Sequence, residues 1–318
     1  MSVVVDGLTK IYGRFIKIPA LVDVSFEVSD GDSFALLGPN ASGKTTLLKV
    51  LMGLTRPNSG KASIMGFDAV KEGFKTRRHV GFVPETISIP WASLNHLLVY
   101  MGELSGLKKS EAKKKTKELL SWVGLWERRN QQAHQLSAGL RQRLLISCAL
   151  IHDPEVLLLD EPTANLDPIM RGSLLNELQD LHKEGKTLLV SSHVLPEVKE
   201  ICQRVGVLDR GELIYDGRLS DLTKKVTAML EYTVRSSNDN RLMKALRDRG
   251  VEVTIEERAG LKVVGTDETT LWKNVSATAN ELGITVTEFK AVERSLEEAL
   301  IKLIYDVRGQ DLRDSTNV

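Results

Sequence analysis

The sequence predicts an α/β fold, a phosphate-loop domain with a helical subdomain, followed by a small α+β domain in the ferredoxin-like βαββαβ order. Three observations predict it. Short apolar runs alternate with helical patterns over the first two-thirds of the chain. The segment "GPNASGKTT" (Gly38–Thr46) sits between one such run and a helix. After about Lys225 the pattern changes to two strand–helix units around a strand pair.

The elements follow in order. "SFALLG" (Ser33–Gly38) reads as a strand running through a loop into the helix "KTTLLKVLMGL". From about Trp91 to Ile151 the pattern is helical and includes "KKSEAKKKTKELLSWVGL". Its lysines suit the solvated face of an amphipathic helix, with Leu119, Leu120 and Val123 turned inward. "EVLLLDE" (Glu155–Glu161) is the continuous apolar run of a buried parallel strand, and "TLLVSSH" (Thr187–His193) is a second. "RVGVLDRGELIYDG" reads as a hairpin turning at Asp209–Gly211. Beyond it come strand "TAMLEYTV", helix "NRLMKALRDRG", strands "VEVTIEE" and "LKVVGT", helix "TTLWKNVSATANELG" and strand "ITVTEFK". Both helices of this half stop at a glycine, Gly250 and Gly283. An amphipathic helix "SLEEALIKLIYDV" and a polar tail from about Arg308 close the chain. The expected division is therefore 1–224 for the phosphate-loop domain, with its helical subdomain at about 86–151, then 225–307 for the α+β domain and 308–318 for the tail.

Composition narrows the function. The 318 residues carry a formal net charge of +1, so wrapping nucleic acid is not the expected task. Cys148 and Cys202 lack metal-ligand spacing and read as small apolar residues in a reducing compartment. The N-terminus lacks the pattern of a signal peptide, and "LLISCALI" is about the longest apolar run. A cytosolic chain without a membrane span of its own is expected.

The chemistry gathers on phosphate. Gly38 and Gly43 let the backbone N–H groups of Pro39-flanked Asn40, Ala41 and Ser42 curl around an anion at a helix start. Lys44 can reach the β- and γ-phosphates, and the hydroxyl of Thr45, followed by Thr46, can enter a Mg²⁺ shell. Asp160 and Glu161 emerge at a strand end, where ligands of open α/β sheets bind. Asp160 suits Mg²⁺, and Glu161 suits a water aimed at the γ-phosphate. His193 ends the next strand and suits a hydrogen bond to the phosphate or that water. One stretch fits none of this: "QLSAGLRQRLL" puts Ser, Ala and Gly before a basic helix, with no nucleophile–base pair.

With "GPNASGKTT", "LSAGLRQRL", "VLLLDEPTANLDP" and "SSHVL" in this order, the first 220 or so residues resemble the nucleotide-binding subunits of ATP-binding cassette (ABC) transporters. Within that family the chain looks most like free-standing ATPase subunits of exporters that carry a C-terminal extension. The resemblance implies ATP and Mg²⁺, hydrolysis of ATP, and head-to-tail dimerisation. The signature of one subunit (Leu136, Ser137, Ala138, Gly139 and Leu140) would then close over ATP held by the other, which accounts for the bare helix start. Ser137 would donate to the γ-phosphate, although it also suits an N-cap. Tyr12 resembles the aromatic that stacks on adenine, with Phe15 as a rival. Asp167 resembles the residue that communicates across the dimer. Glu85 stands where the family has a lid glutamine, with catalytic and metal roles implied. Two departures stand out: Ala138 and Leu140 replace the family's usual Gly and Gln, and Glu85 replaces Gln.

The implied partners are a second copy or a paralogous ATPase subunit and a separate transmembrane permease, which would hold the chain at the inner face of the cell membrane. No nucleic-acid partner is expected. Ile89 and Trp91, in an apolar stretch with Ile87, are the candidates for the permease contact, whereas Leu94, Leu97 and Leu98 are expected inside. Two alternatives remain open: a soluble ATPase acting on nucleic acid, ribosomes or cofactor assembly, and an ATPase regulated by a ligand of its C-terminal domain.

Overall fold

The computed structural model describes residues 1–13, 15–86, 90–227, 230–256, 260–265 and 268–291. Its elements are β1 (Val3–Tyr12), β2 (Ile18–Val28), β3 (Ser33–Leu37), α1 (Lys44–Leu51), β4 (Ser59–Ile64), β5 (Phe67–Asp68), α2 (Gly73–Thr76), β6 (Val80–Val83), α3 (Leu94–Leu104), α4 (Lys109–Trp122), α5 (Ala138–Leu150), β7 (Val156–Asp160), α6 (Pro168–Lys183), β8 (Thr187–Ser192), α7 (Leu195–Ile201), β9 (Arg204–Asp209) and β10 (Glu212–Arg218). There follow α8 (Leu219–Thr227), β11 (Leu230–Ser236), α9 (Asp239–Asp248), β12 (Glu252–Glu256), β13 (Gly260–Gly265), α10 (Glu268–Glu281) and β14 (Val286–Ala291). The chain separates into two compact units, Met1–Leu219 and Ser220–Val318. The helix read at 295–307, the tail, and the residues Ile87 and Ile89 lie outside the described residues.

The first unit is built on a six-stranded sheet in the order β10-β9-β3-β8-β7-β6, parallel except for the edge strand β10. Every residue of β3, β7 and β8 is buried, as strands covered on both faces require. Because the strands are parallel, the segments after β3, β6, β7 and β8 all leave at one edge. That edge receives the phosphate loop, Glu85, Glu161 and His193.

A second sheet, antiparallel in the order β2-β1-β4-β5, was not legible in the sequence. Its core side, with Val3, Val5, Leu8, Leu21, Val24 and Phe26, joins the same buried cluster as Leu47, Leu51 and Leu158. Each such side chain contributes roughly 1.5–3 kcal/mol when fully buried.

The helical subdomain carries its apolar face as expected. Leu94, Leu97 and Leu98 of α3 and Leu119, Leu120 and Val123 around the end of α4 are buried, while Lys113, Lys114 and Lys117 face solvent. Trp91 behaves differently: it is 85% exposed and its ring lies 4.2 Å from that of His134. Cys148 and Cys202 are unpaired, and burial pushes the Cys148 thiol up to about 12.

In the second unit the strands β11, β12, β13 and β14 form an antiparallel sheet in the order β12-β13-β11-β14, which shares a core of Tyr232, Val234, Leu242, Leu246, Val263, Leu271 and Val275 with α9 and α10. This is the ferredoxin-like arrangement that the sequence predicts. Gly250 and Gly283 end its helices at φ of 77° and 65°.

Candidate functional site

Tyr12, Asn40, Ala41, Ser42, Gly43, Lys44, Thr45, Thr46, Glu85 and Glu161 line one cleft of about 400 Å³, together with Ala20, which the sequence did not single out. Two glycines make the loop possible. A Cβ on Gly38 would sit 2.1 Å from the Leu208 carbonyl oxygen, and one on Gly43 would sit 2.4 Å from that of Ala20. Gly43 also takes φ of 113°, which other residues avoid. The loop therefore passes against β9 and β2 and leads into the start of α1, where the helix dipole favours an anion. Pro39 supplies a carbonyl rather than an N–H: the Lys44 ammonium donates to Gly38 O at 2.6 Å and to Pro39 O at 3.1 Å.

Lys44 also lies 3.3 Å from Glu161 Oε1, and the two are 6% and 8% exposed. The other Glu161 oxygen, Oε2, is 2.8 Å from His193 Nδ1. The three charged or chargeable groups proposed for hydrolysis thus form one line, with Glu161 bracketed between a cation and an imidazole. Glu161 is held there at φ of 47°, in the left-handed region. Such a backbone costs on the order of 1–3 kcal/mol and persists only where the surroundings fix it. Ser191 does this. Its hydroxyl and carbonyl both accept from the Glu161 N–H, at 2.9 and 3.2 Å. The same hydroxyl donates to Asp160 Oδ1 at 2.7 Å, so one side chain orients both acids. Ser191 was not singled out from the sequence; its signal was a hydroxyl two residues before the His in "SSH", at the end of a buried strand.

Asp160 is 1% exposed. Thr45 and Glu85 line the cleft, Asp160 directly precedes the lining residue Glu161, and together these three supply only oxygen donors. This is the chemistry of a hard dication that completes its shell with water and substrate oxygen, so these residues fit Mg²⁺. Tyr12 stands at the cleft mouth, 39% exposed, with Lys10 Nζ 4.9 Å from its ring centroid. Phe15, the rival aromatic, is 94% exposed and is not among the described lining residues.

The signature residues are not among the described residues that line this cleft. Leu136 and Gly139 are buried, while Ser137 and Ala138 are exposed and Leu140 is half-buried. Ser137 occupies the N-cap position of α5, yet its side chain makes no capping hydrogen bond. The structural use that the sequence offered for its hydroxyl is therefore not taken up. Gly139 serves packing: a Cβ there would lie 2.6 Å from Met170 Cε. Asp167 caps α6, its Oδ1 accepting from the N–H groups of Ile169 and Met170 at 3.1 and 3.0 Å.

Glu85 is exposed at the cleft, where its carboxylate can bind Mg²⁺. Glu85→Gln is expected to flatten the Mg²⁺ dependence of ATP turnover, measured as initial rates across a Mg²⁺ titration. Superimposable profiles for the two proteins would rule the metal role out.

Comparison with known proteins gives a consistent result. The profile of the ABC transporter family matches residues 21–164. The linearmycin resistance ATP-binding protein of Bacillus subtilis (strain 168) is 32% identical over 320 residues, spanning 97% of this chain and 99% of that relative. The doxorubicin resistance ATP-binding protein of Mycobacterium tuberculosis (strain H37Rv) is 39% identical over 223 residues, 70% of this chain and 67% of the relative. Among solved structures, the ATP-binding subunit of an ABC transporter matches with a TM-score of 0.64 at 28% identity, over 70% of this chain and 92% of that one. A dimeric ATP-binding cassette in a post-hydrolysis state with ADP and Pi matches with the same score and identity, over 68% of this chain and 98% of that one.

Proposed function

The chain belongs to the ABC transporter family as an ATP-hydrolysing, ATP-binding subunit, and from that premise we propose that it powers a separate membrane permease as an exporter. It works as a head-to-tail pair with a second copy or a paralogous subunit, held at the inner face of the cell membrane by the permease. Residues 1–224 form the catalytic part, with 86–151 as the helical subdomain. The observation that carries this reading is the division of labour at the phosphates. The cleft holds its own loop, Lys44 and Glu161, while the exposed Ser137 hydroxyl at the start of α5 has no capping task and is not among its described lining residues. A second chain turned head to tail brings that hydroxyl and helix start to the γ-phosphate.

Each residue then has a task. The loop N–H groups cradle the phosphates and Tyr12 stacks on the adenine. Lys44 moves its ammonium from the carbonyls of Gly38 and Pro39 to phosphate oxygens. Its departure from Glu161 leaves that carboxylate to accept a proton from the attacking water, with His193 holding Oε2. Thr45, Asp160 and Glu85 hold Mg²⁺, which when bound neutralises charge on the β- and γ-oxygens. Asp167 lies at the seam between the two chains. The export direction is supported by the resistance functions in the names of the two relatives.

No helix among the described residues is long and apolar enough to cross a membrane. Trp91 is the contact residue in this reading, an indole 85% exposed just after Glu85 in the sequence. The test is a pull-down of tagged Glu161→Gln protein with ATP from detergent-solubilised host membranes. A polytopic membrane protein is expected, and it should be lost with Trp91→Glu. Recovery of ribosomes, nucleic acid or soluble proteins alone would replace the transport reading.

A further inference from the structure

The loop from Glu161 to Asp167 joins the proposed hydrolytic carboxylate to the proposed dimer seam, and it is strained at two places. Glu161 has φ of 47° and Asn165 has φ of 62°, both in the left-handed region without the freedom of glycine. Backbone of this kind keeps its shape only when neighbouring groups over-determine it. Ser191 fixes the Glu161 end. The other end is held by a side chain to which no role has yet been given.

Glu197 lies in the first turn of α7, four residues beyond His193, and is 6% exposed. One of its oxygens, Oε2, accepts a short hydrogen bond from the Thr163 hydroxyl, which is itself 4% exposed. The other, Oε1, is 3.1 Å from Arg171 Nε in the first turn of α6. Arg171 in turn donates to the Leu166 carbonyl at 3.3 Å. A buried carboxylate is costly unless it is paired and hydrogen-bonded, and here both oxygens have partners. Those partners lie on, or reach back to, the loop between Glu161 and Asp167. Glu197 thus ties that loop to the helix that follows His193.

We propose that Glu197 is a positioning residue for ATP hydrolysis: through Thr163 and Arg171 it sets the loop so that Glu161 meets His193 while Asp167 faces the neighbouring chain. It is not among the described residues that line the cleft and acts through these contacts. The inference rests on the reading of Glu161 and His193 as hydrolytic groups. Its signature is a loss in kcat without a loss in nucleotide binding, because Thr163, Arg171 and Glu197 are not among the described residues that line the phosphate cleft.

The experiment compares Thr163→Val, Thr163→Ser and Glu197→Gln in the full chain, measuring ATP turnover, ATP affinity and Tm, with Glu161→Gln as a control. Valine keeps the shape of threonine and removes the hydroxyl, and serine restores it. Small misplacements of a reacting group cost about ten- to a hundredfold in rate, so a kcat loss of that size is expected for Thr163→Val and Glu197→Gln. ATP affinity should hold within a few-fold, and Thr163→Ser should return to near the parent rate. If Glu197→Gln does not fold, Thr163→Val, which changes no charge, decides alone. Parent kcat in Thr163→Val overturns the inference, as does an equal loss in Thr163→Ser or a loss that follows Tm and affinity together. Undiminished hydrolysis by Glu161→Gln overturns instead the site reading on which it rests.

Discussion

Glu161→Gln is expected to lower ATP turnover by about two to four orders of magnitude, the usual contribution of a positioned proton acceptor, while ATP still binds. The amide has nearly the shape of the carboxylate and can still accept from His193, so the 2.8 Å contact to Nδ1 survives. What it loses is basicity and the ion pair with Lys44. Because the substrate no longer has to draw Lys44 away from a carboxylate, ATP affinity should stay equal or rise. Single-turnover hydrolysis and equilibrium ATP binding on the same preparation separate the two effects. Turnover within a few-fold of the parent would remove Glu161 from the chemistry.

Lys44→Met should have the opposite profile. Two charge-assisted hydrogen bonds to phosphate oxygens are lost, each worth about 1.5 kcal/mol or more, so ATP binding weakens by roughly a hundredfold. A second effect is visible without nucleotide. Glu161 is 8% exposed, and removing its cation leaves a buried carboxylate with only His193 beside it. Breaking a buried pair in this way costs about 3–5 kcal/mol as an upper guide, so Tm should fall. Adding Glu161→Gln to Lys44→Met removes the stranded charge and should recover most of the lost Tm, but not the ATP affinity. If the double variant is no more stable than the single one, the Lys44–Glu161 pair has no weight in the folded chain.

Much of this architecture was legible because its signals are local. "VLLLDE" is apolar enough to read as a doubly covered strand, and β7 is buried throughout. "GPNASGKTT" needs only its own few residues to define the loop. The C-terminal order could be read because its strands alternate and its helices stop at glycine. The antiparallel sheet failed for a physical reason. β1 is broken by register shifts between Val5 and Leu8 and again before Lys10 and Ile11, so its period of two does not persist. Gly7 and Asp23, both with positive φ, lie at these breaks, and β4 reads "SGKASI", with little apolar signal. In the site, the residue types were legible but their pairing was not. Lys44 and Glu161 are far apart in the chain, and nothing in either segment announces that one will neutralise the other. The double use of Ser191 has the same origin: a hydroxyl near a strand end carries no pattern until the strand order β3-β8-β7 sets it next to Asp160.

The exposed N-cap of α5 has a consequence for how the protein must be assayed. If Ser137 acts from another copy, as proposed, the protein has no fixed specific activity. At high dilution its rate per millilitre falls with the square of the protein concentration, and it becomes linear only once the pairs are saturated. A dilution series therefore reads the pairing constant directly from the curvature. The same series mixed with Ser137→Ala chains counts how many intact signatures one turnover requires.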